Sequence, residues 1–179
     1  DVERSRGLGD VYKRQLSELS LSDPLTGLKN RRALELTVQE WQRTASRQSS
    51  VSLLMVDVDY FKRINDAHGH PEGDRVLVNF ARQLQAGARG SDLVARYGGE
   101  EFVLWLPDAD AEAAARIAER VHKCARRVRS LAGPVTVSVG LACAVHQTGA
   151  DFLARLLKRS DEAVYRAKAL GRNCTVVSD

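Results

Sequence analysis

Arg96-Tyr97-Gly98-Gly99-Glu100-Glu101-Phe102 sets two glycines and then two carboxylates between apolar segments. Upstream, Leu93-Val94-Ala95 reads as a short strand; downstream, Phe102-Val103-Leu104-Trp105-Leu106 reads as another, with Gly-Gly as a favoured two-residue connection. The stretch predicts a tight hairpin with acid at its tip, a place that can hold a metal. Gly98 and Gly99 also lack side chains, so a bulky ligand can come close to the backbone.

Outward from the hairpin, residues 51–58 are nearly all apolar and β-branched, which predicts a central strand covered on both faces. That strand ends in acid, at Asp57. Residues 31–43 carry Ala33, Leu34, Leu36, Val38 and Trp41 at helical spacing, closed by the polar run 44–50. Residues 71–85 repeat the pattern with Val76, Leu77, Phe80, Ala81 and Leu84, and the Ala- and Arg-rich stretch 109–128 with Ile117, Val121 and Val128. Residues 135–140 alternate as a half-buried strand, 151–170 form a long helix ended by Gly171, and 175–177 make a short last strand. Interleaved strands and helices of this kind give an α/β fold with helices packed on a sheet.

A chain of 179 residues, 44% hydrophobic and 28% charged, supports one domain with a substantial core. Its longest apolar run, around residues 53–56, is far short of the roughly 20 residues that cross a bilayer, and no cleavable signal pattern opens the sequence. The expectation is a cytoplasmic fragment without membrane contact of its own, whose full-length parent can still be membrane-anchored. Cys124, Cys143 and Cys174 are odd in number and widely spaced, so neither a disulfide framework nor a zinc site is indicated and small buried or half-buried roles are expected. The formal charge of +4 comes from basic residues scattered among acids along helical stretches. That pattern describes a solvated surface, not a nucleic-acid groove.

Several stretches together resemble the GGDEF family of diguanylate cyclases, in the GGEEF spelling. Besides the hairpin they are Asp23-Pro24-Leu25-Thr26-Gly27-Leu28-Lys29-Asn30-Arg31-Arg32, Asp57-Val58-Asp59-Tyr60-Phe61-Lys62-Arg63-Ile64-Asn65-Asp66, Gly69-His70-Pro71-Glu72-Gly73-Asp74 and Ala167-Lys168-Ala169-Leu170-Gly171-Arg172-Asn173. They occur in family order across residues 23–177. The resemblance divides the chain into a segment 1–22 outside the pattern and a catalytic domain 23–179. Residues 7–15 look like translated adapter sequence and are assigned no function; if authentic, residues 12–21 end a linker helix. For the domain it implies a ferredoxin-like, palm-type sheet of five mostly antiparallel strands flanked by helices, akin to nucleotide cyclases.

Asp57 at a strand end and Glu100 at the hairpin tip need a reason to converge, and a divalent ion supplies one. By resemblance, two Mg2+ (or Mn2+) ions per active site are held by Asp57, the carbonyl of Val58 and Glu100. Glu101 then stands at the second ion or near an attacking 3′-hydroxyl, with the identity of any general base open. Tyr60-Phe61-Lys62-Arg63 opens a short helix just after Asp59, and free N–H groups at a helix start make a phosphate seat, which the family uses with Phe61 and Lys62; an ordinary strand-to-helix connection with Lys62 in water is the plain alternative. Guanine offers two donors beside an acceptor, which suits Asp74 and Asn65, matching guanine-contacting positions of the family. Taken alone, an Asp near a helix start is more often a capping or surface acid. Lys168 and Arg172 resemble cations that meet the triphosphate, although cations in a last helical turn are common for dipole reasons. Arg89 and Asp92, an RxxD nine residues before Gly98, stand at the register of the family's inhibitory product site; the plain alternative is a surface ion pair. His68 departs from the aromatic frequent before Gly69 in the family.

The resemblance implies a diguanylate cyclase that condenses two GTP into cyclic di-GMP, releases two pyrophosphates and is inhibited by its product. Each 3′-hydroxyl attacks the other nucleotide's α-phosphorus, so a transient two-fold homodimer is required. The rival readings are a non-catalytic cyclic di-GMP receptor, opposed by the intact 98–102 stretch, and a palm acting on another nucleotide, opposed by Asp74 and Asn65.

Overall fold

Residues 20–178 are described in a computed structural model. The adapter-like stretch 7–15 and most of the alternative linker helix 12–21 fall outside the described residues. Strand β1 (Ser50–Val58) is buried from Val51 onward and is the middle of the molecule. Its alternation divides the core. Leu54, Val56 and Val58 face one apolar cluster, and Val51, Leu53 and Met55 face a second on the other side of the sheet. A strand with no solvated face needs no polar alternation, which is why residues 51–58 read as a continuous apolar run.

Helix α1 (Arg31–Thr44) precedes β1 and is capped by the Asn30 side chain, which accepts from the Ala33 N–H. After β1 come α2 (Phe61–His68), α3 (His70–Gly87), β2 (Leu93–Arg96), β3 (Glu101–Pro107) and α4 (Ala111–Arg127), the last capped by Asp110. A two-stranded ribbon, β4 (Arg129–Ser130) and β5 (Gly133–Pro134), leads to β6 (Val137–Val145), α5 (Phe152–Ala169) and β7 (Thr175–Val177). The main sheet has the order β2-β3-β1-β6-β7, antiparallel throughout except for the β6–β7 pair. This is the mostly antiparallel five-stranded sheet flanked by helices that the resemblance implied.

Helices α3 and α4 cover one face through Val76, Leu77, Phe80, Ile117 and Val121. Helices α1 and α5 cover the other through Leu34, Val38, Phe152, Leu156 and Val164. Aromatic rings key each side: Phe80 meets Phe102 edge-on at 5.2 Å, and Trp41 meets Trp105 edge-on at 5.3 Å. Cys124 is buried, Cys143 and Cys174 are half-buried, and all three are free thiols, as expected.

The sixth strand departs from the sequence reading by more than one residue at both ends. The 135–140 strand begins at Val137, because Val135 donates its N–H to the Val128 carbonyl and the Thr136 carbonyl accepts from the Asp59 N–H. It also runs through Gly140 to Val145. At Gly140 an added Cβ would lie 1.9 Å from the Ser160 carbonyl oxygen, so the glycine marks the point where α5 presses its backbone on the strand.

Candidate active site

The acids converge where β1 ends and β3 begins. Asp57 and Glu101 are register partners across the β1–β3 pair, which puts their side chains on one face of the sheet. Glu100 precedes Glu101 in the loop, and its carbonyl accepts from the Val58 N–H at 3.2 Å. The connection is wider than a two-residue Gly-Gly turn: Tyr97, Gly98, Gly99 and Glu100 separate β2 from β3, and the Tyr97 N–H bonds the Glu101 carbonyl at 2.8 Å. Neither Gly98 nor Gly99 has a positive φ. Gly98 leaves room for the acid instead, since a Cβ there would stand 2.6 Å from Glu101 Oε2 and push that carboxylate aside, whereas Gly99 faces open space. Arg96 fixes the loop by donating to the Gly99 carbonyl from Nε at 3.1 Å and Nη2 at 2.8 Å. The same guanidinium meets both oxygens of Asp23 at 3.2 Å, and Asp23 in turn accepts from the Thr26 N–H and hydroxyl.

Negative charge accumulates at this sheet end. Burial pushes the Asp57 carboxyl above its ordinary range, and the neighbouring Glu100 and Asp59 charges add to the rise while Lys168 opposes it. Glu101 is raised as well, first by burial and then by Asp57, Asp161 and Glu100. The compensating cation is Lys168, whose Nζ lies 2.9 Å from Asp57 Oδ2. Among the described residues no three His, Cys, Asp or Glu side chains are already gathered into a metal-binding group. The donor set is nevertheless all oxygen and short of positive charge, which is the chemistry that fits a hard divalent cation.

Beside the acids, α2 starts with Tyr60 in the left-handed region at φ 56° and without a side-chain cap. The Arg63 N–H is spent on the Tyr60 carbonyl at 2.9 Å, while the Phe61 and Lys62 N–H groups precede the helix's own ladder, where an anion can meet them. Phe61 is buried, Lys62 is exposed, and the Arg172 guanidinium carbon sits 4.7 Å from the centre of the Tyr60 ring. Lys168 and Arg172 thus reach the site from the end of α5, one on Asp57 and the other over the residue that opens α2.

Asn65 lies on α2 where α3 crosses it. Its Oδ1 is buried without a partner, and a Cβ on Gly73 would come within 1.9 Å of that atom. Gly73 is therefore what lets α3 pass close to an unsatisfied amide. Asp74, the next residue, is exposed. An orphaned buried acceptor costs free energy unless a ligand or water completes it.

Arg89 and Asp92 stand apart, at the opposite end of β2, a strand of four residues that separates them from the glycine loop by roughly 13 Å. Arg89 Nη2 and Nε bond Asp92 Oδ1 at 2.8 and 3.0 Å, and the Arg89 N–H bonds Oδ2 at 2.9 Å. The aspartate side chain is 1% exposed and the arginine 42%. A buried carboxylate thus holds an outward-facing guanidinium in a fixed pose.

Sequence reasoning assigned no role to Arg96, Asp23, Asp59, Asp161 or Gly73. Most make contacts across long stretches of chain, which spacing does not reveal. Asp59 carried one signal: its alternation with Asp57 puts both on one face of the strand end.

The family described as "Diguanylate cyclase, GGDEF domain" matches residues 20–174. The chain is 43% identical over 166 residues to the response regulator PleD of Caulobacter vibrioides, covering 89% of this chain and 36% of PleD. It is 42% identical over 161 residues to the diguanylate cyclase DgcM of Escherichia coli K12, covering 89% of this chain and 38% of DgcM. It thus spans little more than a third of these curated relatives. Among solved structures, the diguanylate cyclase SiaD of Pseudomonas aeruginosa, in complex with its activator SiaC, superposes with a TM-score of 0.79 at 38% identity, over 99% of this chain and 72% of SiaD. The GGDEF domain of DgcB from Caulobacter crescentus, in complex with c-di-GMP, superposes at 0.76 with 29% identity, over 88% of this chain and 95% of that one. The shared fold, the glycine loop with its two glutamates and the match over residues 20–174 have one explanation: the chain belongs to the GGDEF-domain family of diguanylate cyclases.

Proposed function

We propose that this domain condenses two GTP molecules into cyclic di-GMP with release of two pyrophosphates. The observation that carries the reading is the sheet end itself. Asp57 and Glu101 share one face with Glu100 beside them, both partners' carboxyls are raised, and Lys168 and the open start of α2 border the same spot. An all-acid centre flanked by cations and free amides suits a phosphate ester bound with a metal ion.

Asp57, the Val58 carbonyl, Glu100 and Glu101 would hold Mg2+ or Mn2+, two ions per site. Such ions supply Lewis-acid charge at phosphoryl oxygens. The chain's own groups do the remaining work. The first-turn amides of α2, with Phe61 and Lys62, seat phosphate oxygens; Lys168 and Arg172 neutralise the triphosphate; Asn65 and Asp74 read the guanine edge. Glu101 lies next to the incoming 3′-hydroxyl or at the second ion. Burial raises the Glu101 carboxyl, which makes it a better proton acceptor than an ordinary exposed glutamate.

One domain carries one substrate, so two domains must meet face to face, each presenting its 3′-hydroxyl to the other's α-phosphorus. Arg89 and Asp92 form the inhibitory product site, a preset guanidinium fork for phosphate or guanine away from the acids. The divalent-metal requirement is tested directly by Asp57→Asn and Glu100→Gln. Each variant is expected to lose turnover by at least about 100-fold, the usual scale for removing a group that stabilises developing charge, while far-UV dichroism stays native. Near-normal cyclic di-GMP formation by either variant removes that residue from the site.

A further inference from the structure

Asp59 is 4% exposed, yet its carboxylate takes three uncharged donors from three parts of the chain. Ser138 Oγ donates to Oδ1 at 2.7 Å, and Thr136 Oγ1 and the Asn173 N–H donate to Oδ2 at 2.8 and 3.0 Å. Its own N–H bonds the Thr136 carbonyl at 2.9 Å. A buried carboxylate is costly unless hydrogen-bonded, so this joint holds its partners firmly.

What it holds is informative. Asn173 ends a run of three residues with positive φ, Gly171 at 109°, Arg172 at 66° and Asn173 at 48°. Two consecutive non-glycine residues in that region do not persist without outside support. The Asp59–Asn173 bond provides it on one side, and the Arg172 N–H bond to the Ala167 carbonyl at 3.0 Å provides it on the other. The loop so fixed carries Arg172 over the Tyr60 ring. Tyr60 directly follows Asp59 and is itself held at φ 56° as the opening residue of α2.

We infer that Asp59 is a positioning residue for the triphosphate end of the substrate, tying the Arg172 loop and the first turn of α2 into one rigid cradle. This rests on the cyclase reading above. Asp59 is assigned no metal contact; its oxygens are already turned toward Ser138, Thr136 and Asn173. An asparagine can reproduce the joint, with its carbonyl oxygen accepting from the Asn173 N–H and its amide donating to the Ser138 hydroxyl, which is free to rotate.

The test is calorimetric binding, with Mg2+ present, of GMP and of a GTP analogue with a methylene between the α- and β-phosphates. Asp59→Ala should weaken the triphosphate analogue by roughly tenfold or more, the scale of one or two lost charge-assisted hydrogen bonds, and leave GMP nearly unchanged. Asp59→Asn should bind within about threefold of wild type, a rescue that a metal-ligating carboxylate would not show. On an Arg172→Ala background, Asp59→Ala should cost less than it does alone, since only the first turn of α2 is left for it to hold. Thr136→Val with Ser138→Ala removes two of the three donors and leaves Asp59 in place; it should show the same selective loss and serves if Asp59→Ala does not fold. Equal weakening of both nucleotides, full additivity with Arg172→Ala, or failure of the asparagine rescue each overturns the inference. If wild type binds neither nucleotide, the cyclase reading falls with it; if wild type binds and Asp59→Ala is unchanged, this inference falls alone.

Discussion

The residues that carry the chemistry are tuned by what surrounds them. Asp57 is 6% exposed, and burial raises its carboxyl while the Lys168 ammonium 2.9 Å away resists the rise. Asn65 shows the complementary situation, a buried oxygen with nothing to accept from. On the proposed function, guanine would offer donors to such a group, with Asp74 on the neighbouring helix taking its donor pair. Asp74→Ala should lower GTP affinity by about 1–3 kcal/mol, the cost of stranding polar partners, with little effect on ATP. Titration calorimetry with both nucleotides checks it, and unchanged GTP binding would show that the base is read elsewhere.

Elements were more legible than their ends. The apolar run of β1, the helical spacing along α1, α3 and α4 and the Gly171 stop after α5 could all be seen in the sequence because burial imposes them locally. The four-residue glycine loop and the late start of β6 could not, since the Val58 N–H on the Glu100 carbonyl and the Asp59 N–H on the Thr136 carbonyl tie them to residues far along the chain; the ribbon β4–β5, two residues a side, is too short to show a period. The site divides in the same way. Asp57, Glu100 and Glu101 stood out as acids at strand ends, whereas the Lys168–Asp57 pair, the Arg96–Asp23 pair and the Asp59 joint depend on tertiary contacts alone.

Glu72, in the first turn of α3, makes one such contact. It meets Arg75 Nε and Nη2 at 2.7 Å and accepts the Leu131 N–H at 2.8 Å, tying the helix to the ribbon. The Arg75 hydrogen bonds hold its carboxyl down at about 2, from an ordinary 4.5. A depressed carboxyl stabilises the fold above its unfolded value and loses that contribution as the pH falls from about 4.5 toward 2. Glu72→Gln should therefore reduce stability at neutral pH and flatten the acid limb of the profile between those values. Denaturant melts across pH decide it; an acid limb as steep as that of wild type would mean the pair contributes nothing measurable.

At the scale of the whole molecule, the catalytic acids and the Arg89–Asp92 pair occupy opposite ends of β2. On the proposed function, product bound at the far end would not need to compete with GTP, because keeping two domains from meeting would be enough to stop a reaction that uses both. Arg89→Ala should abolish the drop in initial rate caused by added cyclic di-GMP. The ratio of inhibited to uninhibited rates, measured for wild type and variant, checks this, and equal ratios would reduce Arg89 to a surface charge. Activity should also rise more steeply than linearly with protein concentration while the domain is mostly monomeric.

The most direct measurement of the central claim is incubation of the domain with GTP and Mg2+ at high protein concentration, with every nucleotide product identified by mass and pyrophosphate counted. The account predicts cyclic di-GMP and two pyrophosphates for each molecule formed, with none from Glu100→Gln. Unconverted GTP alongside tight binding of added cyclic di-GMP would contradict it and make the domain a receptor, and a different cyclic or linear product would contradict the assigned reaction.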